Sequence, residues 1–242
     1  MAPLSAQWAG PEHNDHLNGP PLLMVRSASS TPFRLVHTQG DVGHMMIVGP
    51  TGAGKSVLLS LLALQFRRYE NAQVFVFDKG GSARAMTLAL GGDWYDLGVD
   101  GAHAFQPLAD LADEAVLPAA QSWVLALIEQ EGVQVIPEVR EAVWSALQSL
   151  AAAPGRQRTL TGLAALIQSS TLRRALQPYT LEGPYGALLD ADADSFAASD
   201  MACFEMEALM QDRRLAAPVL AHLFQRLEAR FDGRATLLIL DE

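Results

Sequence analysis

Apolar positions along the chain follow two rhythms. Apolar runs at residues 44–48, 74–77, 201–206 and 236–240 read as short strands, the first with the near-continuous pattern of a strand buried on both faces. Between the first two runs the period changes. Leu58, Leu59, Leu61, Leu62, Leu64 and Phe66 predict a helix largely buried in the domain, with Arg67, Arg68 and Tyr69 near its end. Residues 44–78 therefore predict a strand–helix–strand unit, the building block of a parallel α/β sheet.

Helical spacing dominates the middle of the chain. It predicts helices over 112–131 and 137–152, with Pro137 at a first helical position and Pro154-Gly155 as a stop. Thr161 and Thr171 are the expected caps of two shorter helices, and a further helix is expected over about 215–231 with Pro218 in its first turn. Trp123 and Trp144 read as core, Asp190, Asp192 and Asp194 as an acidic loop, and Glu205 and Glu207 as the exposed face of a strand. Ahead of all this, Phe33–His37 reads as a short strand, preceded by a turn-rich leader punctuated by Pro3, Pro11, Pro20, Pro21 and Pro32. The expected organisation is a leader over 1–32, a first part of an α/β core over 33–110, a mainly helical insertion over 111–200, and the core resumed over 201–242. A buried strand that ends on two carboxylates normally continues, so the sequence is expected to be part of a longer protein.

Half of the 242 residues are hydrophobic, which excludes a disordered chain unable to bury enough surface to offset its ordering entropy. The lone cysteine, Cys203, excludes an internal disulfide framework and fits a reducing, cytoplasmic compartment. No apolar run approaches the ~20 residues of a membrane helix, and no basic-then-apolar start marks a secretory signal. With 17 basic and 27 acidic residues the net charge is −10, so nucleic-acid binding would require a local basic patch. Arg67-Arg68, Arg173-Arg174 and Arg213-Arg214 are only pairs and read as solvated helix faces; direct nucleic-acid binding stays open.

The two lysines, Lys55 and Lys79, stand in the most informative segments. Gly49-Pro50-Thr51-Gly52-Ala53-Gly54-Lys55-Ser56 matches the phosphate-loop pattern G-x-x-x-x-G-K-[ST] in full, between a predicted strand and a predicted helix. Its glycines let successive N–H groups converge on phosphate oxygens, and the helix N-terminus adds partial positive charge. Lys55 is expected to reach the β- and γ-phosphates of ATP, and the Ser56 hydroxyl to bind Mg²⁺. A second signal is the run Leu237–Leu240 followed by Asp241 and Glu242. Asp241 is the expected support for the metal and Glu242 the expected polariser of the attacking water, a pairing that favours hydrolysis over transfer to a metabolite. Asp78-Lys79-Gly80-Gly81 fits the D-x-x-G of GTPases, but no N-K-x-D motif accompanies it, and no LSGGQ-like stretch supports an ABC-type ATPase. Asp78 reads equally as a strand-end turn or as a residue near the nucleotide, and His44 as structural.

Taken in order, Thr31–Leu35, Gly40–His44, the phosphate loop, Phe77–Ser82, Leu176–Tyr179, Gly183–Gly186, Phe204–Glu207 and Leu240–Glu242 resemble the TrbE-type conjugal-transfer ATPases of the CagE/TrbE/VirB family of type IV secretion. The resemblance runs from the leader to the last residue. It implies a P-loop NTPase with a RecA-like core and a helical insertion, here ending after the strand that carries the acidic pair. It also implies a hydrolysing motor that works as an oligomer, often a hexamer, peripheral to the cytoplasmic face of the inner membrane, where it powers pilus assembly or substrate export. Family members carry a long N-terminal domain ahead of this region and further strands after Asp-Glu. Two other readings are kept: a DNA-translocating motor of the FtsK/HerA kind, and a nucleotide-binding fragment that does not hydrolyse.

Overall fold

The structure, a computed structural model, describes residues 8–28, 30–40, 42–98, 103–196 and 199–241. The chain divides into two compact units. The first comprises residues 1–94, 199–204 and 232–242; the second comprises 95–198 and 205–231.

The first unit opens with strands β1 (Leu23–Arg26) and β2 (Pro32–Leu35), which pair antiparallel with Leu23 opposite Leu35 and Arg26 opposite Pro32. Part of the sequence's turn-rich leader is thus drawn into a hairpin. Helix α1 (Lys55–Phe66) follows the phosphate loop, and β3 (Gln73–Asp78) follows α1. Helix α2 (Arg84–Ala89) and β4 (Asp93–Asp96) come next. After the helical excursion the chain returns as β5 (Met201–Glu205) and finishes on β6 (Thr236–Leu240). The four-stranded sheet has the order β4-β5-β3-β6, and β3 and β6 run parallel with Gln73 opposite Thr236 and Phe77 opposite Leu240.

Every residue of β3 is buried, as a strand apolar on both faces requires. Val74 and Val76, with Cys203 and Ile239, join Leu62, Ala63, Phe66 and Met86 in one core. The alternate residues Phe75 and Phe77 are equally buried, and the Phe77 ring lies 5.0 Å from that of Phe204. One buried polar group is tied in at the sheet's start: Gln73 donates from Nε2 to Thr236 Oγ1 at 2.8 Å and accepts from Arg234 Nη2 at 3.0 Å. Arg234 also reaches Asp200 at 2.9 Å and Asp232 at 3.0 Å, an ion-pair fork of the kind that only a planar guanidinium can serve.

In the second unit, α4 (Pro137–Ala151) matches the sequence expectation closely, whereas α3 (Leu117–Gln130) starts later than the expected residue 112, after a 3₁₀ turn at Glu114–Val116; both helices carry proline in the first turn. The shorter α5 (Leu160–Leu166) and α6 (Ser170–Leu176) are capped by Thr159 and Ser169, two residues before the expected Thr161 and Thr171. Their side chains accept from the N–H groups of Gly162 and Leu172. Thr161 is engaged otherwise: its N–H and hydroxyl both donate to Asp190, whose buried carboxylate also accepts the Leu181 N–H at 2.8 Å. The acidic loop therefore contains a structural anchor. After the one-turn α7 (Gly186–Leu189), α8 (Arg213–Glu228) is capped by Asp212, which puts Pro218 inside the helix, beyond the first turn. The carbonyl of Pro218 accepts the Trp123 indole N–H at 3.0 Å. Trp123 is core as expected, while Trp144 is only half-buried.

Three further expectations need correction. Residues 44–48 form no strand; Met46 and Val48 are 88% and 85% exposed. A strand buried on both faces needs ladder partners and layers above and below it, and among the described residues β6 forms the rim of the sheet with no strand beyond it. For the same reason α1 is less buried than its leucines suggest, with Leu58, Leu61 and Leu64 near 40% exposed. Glu205, expected on an exposed face, is buried and accepts the Glu207 N–H at 2.8 Å.

Candidate functional site

The site of interest lies wholly in the first unit. It begins at the loop Gly49–Ser56, which passes from the irregular segment 44–48 into α1. Pro50 and Ala53 close a turn through Ala53 N–H and the Pro50 carbonyl at 3.2 Å. Gly52 and Gly54 hold φ of +81° and +87°, a region that a side chain makes costly, so this path depends on glycine. Gly54 caps α1 without any side-chain acceptor, and α1 has no acidic residue in its first turn. The leading N–H groups of the helix thus receive neither a capping oxygen nor a competing carboxylate, the arrangement that favours an incoming anion. Lys55 Nζ donates to the Gly49 carbonyl at 2.9 Å, spanning the loop from its last residues to its first.

Opposite the loop stand the C-terminal ends of two neighbouring parallel strands, β3 and β6. In open α/β sheets these ends form the edge where ligands bind. The register that pairs Phe77 with Leu240 carries on one step, with the Asp241 N–H donating to the Phe77 carbonyl at 2.8 Å. Asp78 is fully buried; its carboxylate accepts the Ser82 hydroxyl at 2.7 Å and the Ala83 N–H at 2.8 Å. The Ser82 hydroxyl also lies 3.4 Å from Asp241 Oδ2. Gly80 and Gly81, at φ +94° and +72°, make the tight turn that returns Ser82 to the strand ends.

A small pocket with room for about one water, ≈ 10 Å³, joins these pieces. Ser56 and Ser60 line it from α1, Ser82 from the turn, Asp241 from the end of β6, and Val76 and Ile239 from the sheet. Ser56 and Ser60 are four residues apart and so share one helix face. The donor set is hydroxyl and carboxylate oxygen. This is hard-donor chemistry suited to Mg²⁺, which keeps several waters and takes only one or two protein carboxylates beside phosphate oxygens. Among the described residues no group of three histidine, cysteine or acidic side chains clusters as an all-protein metal cage. The residues present fit a P-loop metal, which is held jointly with a nucleotide.

Of the residues singled out in the sequence, Gly49–Ser56 and Asp241 are thus drawn to one edge of the sheet, while Glu242 lies outside the described residues. His44 is exposed and lines no part of this pocket. At least one arginine of each pair is locally engaged. Arg67 donates to the carbonyls of Ala72 and Asp200, Arg68 to Pro21 O at 2.9 Å, and Arg214 stands 3.9 Å from Glu131. Ser60 and Ser82 were not legible as site residues; the only sequence signals were their spacings of four residues from Ser56 and from Asp78.

The loop, the parallel strand ends and the helical excursion define the class: a RecA-like α/β fold of the P-loop NTPase kind. Superposition supports this, since VirB4 of Thermoanaerobacter pseudethanolicus matches 96% of this chain and 69% of its own with a TM-score of 0.67 at 18% identity. No protein-family profile matches the chain. In sequence, the conjugal transfer protein TrbE of Rhizobium radiobacter is 42% identical over the whole chain, which covers 31% of that protein. A probable conjugal transfer protein TrbE of Sinorhizobium fredii is also 42% identical, with 38% of its length covered. The type IV secretion system protein virB4 of Bartonella quintana is 26% identical over 93% of this chain. The chain is thus similar in sequence to TrbE and virB4 proteins, and it spans about a third of the length of these curated relatives.

Proposed function

We propose that this chain binds ATP with Mg²⁺ through Gly49–Ser56 and hydrolyses it, as the motor segment of a conjugal-transfer or type IV secretion protein. The observation that carries the proposal is that Ser56 and Asp241, far apart in sequence, line one pocket beside a capless helix N-terminus. In this reading the N–H groups of Gly52 and of Gly54–Ser56 orient the phosphate tail, and Lys55 exchanges the Gly49 carbonyl for phosphate oxygen. Ser56 and Asp241 hold the metal, Asp241 through water. Bound Mg²⁺ supplies charge neutralisation at the phosphate oxygens. Glu242 takes the proton of the attacking water.

The relatives extend the proposal to partners: a homo-oligomer, expected to be a hexamer, working with the secretion machinery at the cytoplasmic face of the inner membrane. Among the described residues no helix is long and apolar enough to cross a membrane, so attachment would be peripheral in this segment. The test is calorimetric titration of ATP and Mg²⁺ into the wild-type chain and Lys55→Ala. Micromolar-range binding confined to the wild type is expected, and equal affinity in both would overturn the assignment of the loop.

A further inference from the structure

We propose that Ser82 is a positioning residue for the metal-supporting carboxylate Asp241, held in place by Asp78. This inference rests on the nucleotide-site reading above.

Asp78 is at the end of β3 and fully buried, where a charged carboxylate persists only if its oxygens are hydrogen-bonded. Both are: Oδ1 accepts the Ser82 hydroxyl at 2.7 Å, and Oδ2 accepts the Ala83 N–H at 2.8 Å. These two bonds fix the turn over 79–82 onto the strand end. The shorter of them directs the single hydroxyl proton of Ser82 toward Asp78. The Ser82 oxygen then faces Asp241 Oδ2 at 3.4 Å within the pocket that Ser56 also lines.

A hydroxyl has one proton and two lone pairs. It cannot donate fully to Asp78 and Asp241 at once, and the 2.7 Å contact against the 3.4 Å one assigns the proton to Asp78. A lone pair of Ser82 is then left beside Asp241 at the pocket, where it can accept from a water that Asp241 also holds. Ser82 thereby favours the cation-bound arrangement of Asp241 without itself being a metal ligand. Partners of this kind around metal-ligating carboxylates typically change metal affinity by ~10–100-fold. Because Gly80 and Gly81 permit the turn that carries Ser82, the device is local to the strand ends and does not depend on the helical unit.

The test uses the 242-residue chain with Mn²⁺ as a paramagnetic stand-in for Mg²⁺ and the slowly hydrolysed analogue ATPγS. Mn²⁺ binding in the presence of the nucleotide is followed by electron paramagnetic resonance, and nucleotide binding in EDTA by calorimetry. Ser82→Ala is expected to weaken Mn²⁺ binding by ~10-fold and to lower the thermal midpoint through the unpartnered Asp78 oxygen, while leaving metal-free nucleotide affinity near wild type. Ser82→Thr, which keeps the hydroxyl, is expected to restore Mn²⁺ affinity. Wild-type Mn²⁺ affinity in Ser82→Ala, with Asp241→Ala impaired, would overturn the role of Ser82 and leave the nucleotide site standing. A parallel loss of metal-free nucleotide binding in Ser82→Ala, or Mn²⁺ affinity unrescued by Ser82→Thr, would reduce Ser82 to a turn-former and equally overturn it. If the wild type itself shows no nucleotide-dependent Mn²⁺ binding, the nucleotide-site reading fails and this inference goes with it.

Discussion

Lys55 and Gly49, the seventh and first residues of the phosphate loop, are joined by a hydrogen bond of 2.9 Å from the ammonium to the carbonyl. The lysine therefore has a neutral acceptor in this loop, and in the proposed mechanism it exchanges that acceptor for an anionic one when a triphosphate enters. The exchange replaces an ammonium–carbonyl contact with an ammonium–anion pair, and the added charge–charge attraction favours it. Lys55→Ala is expected to weaken ATP binding by roughly 10- to 100-fold, read by calorimetry. Because the bond it breaks is part-exposed and ends on a single carbonyl, the unfolding midpoint should barely move.

Asp241 and Glu242 are adjacent in sequence but have different tasks in the proposed mechanism, and substitution should separate them. Asp241→Asn is expected to abolish the Mg²⁺-dependent part of nucleotide binding, since a neutral amide offsets no cation charge. Glu242→Gln should retain Mg²⁺-dependent binding and lower ATP turnover by roughly 10²–10⁴-fold, the usual yield of a general base. A steady-state phosphate-release assay beside the binding titrations checks both. Equal loss of binding in Glu242→Gln would remove its assignment to the water.

Much of this site could be read in advance because its signals are local. A phosphate loop is one contiguous octapeptide whose glycines answer to backbone geometry, and Leu237–Asp241 declares a strand with an acid at its end, although β6 lies at the rim of the sheet and buries only Ile239, not the whole run as expected. β3, α3, α4 and β6 were legible for the same reason: their apolar periods are long and uninterrupted. What was not legible depends on partners distant in the chain. The run 44–48 has the composition of a central strand, yet a strand exists only where another backbone answers it, and among the described residues none stands beside it. Thr159 and Thr161 are indistinguishable as caps until Asp190 claims the latter. Ser82 is an ordinary turn serine in sequence; only the parallel register of β3 and β6 brings Asp241 within its reach.

Gly186 shows how tightly the helical unit is closed. A Cβ at this position would lie 2.0 Å from the Thr180 carbonyl oxygen and 2.9 Å from the Leu181 Cα, both backbone atoms that cannot swing aside. Gly186→Ala must therefore push α7 away from the turn that carries Tyr179 and Thr180. Overpacking of this kind costs about 1–3 kcal/mol or more, and chemical denaturation should report a loss in that range. Gly155→Ala, where a Cβ meets nothing within 4 Å, is the control and should be nearly neutral.

The last prediction concerns acid. Asp194 is largely buried in the helical unit, with Oδ2 at 3.5 Å from His222 Nε2 and 3.9 Å from Arg226 Nε, and with Oδ1 accepting the Phe196 N–H at 2.8 Å. Burial alone would raise its pKa, but the His222 contact, the Phe196 N–H and the Arg226 charge outweigh it, and the carboxyl is held below its ordinary value of 3.8. A carboxylate whose folded pKa is depressed binds fewer protons in the native state than in the unfolded state. Its contribution to stability is therefore complete above pH 3.8 and is lost as the pH falls through the lower, folded value. Asp194→Asn should cost ~1–2 kcal/mol near pH 7, where the charged pairing is intact. The difference between wild type and variant should shrink toward zero as the pH is lowered below that window. Urea unfolding at a series of pH values measures it directly. A difference that stays constant into strong acid would mean that Asp194 acts by shape, through its bond to Phe196, and that its charge contributes nothing.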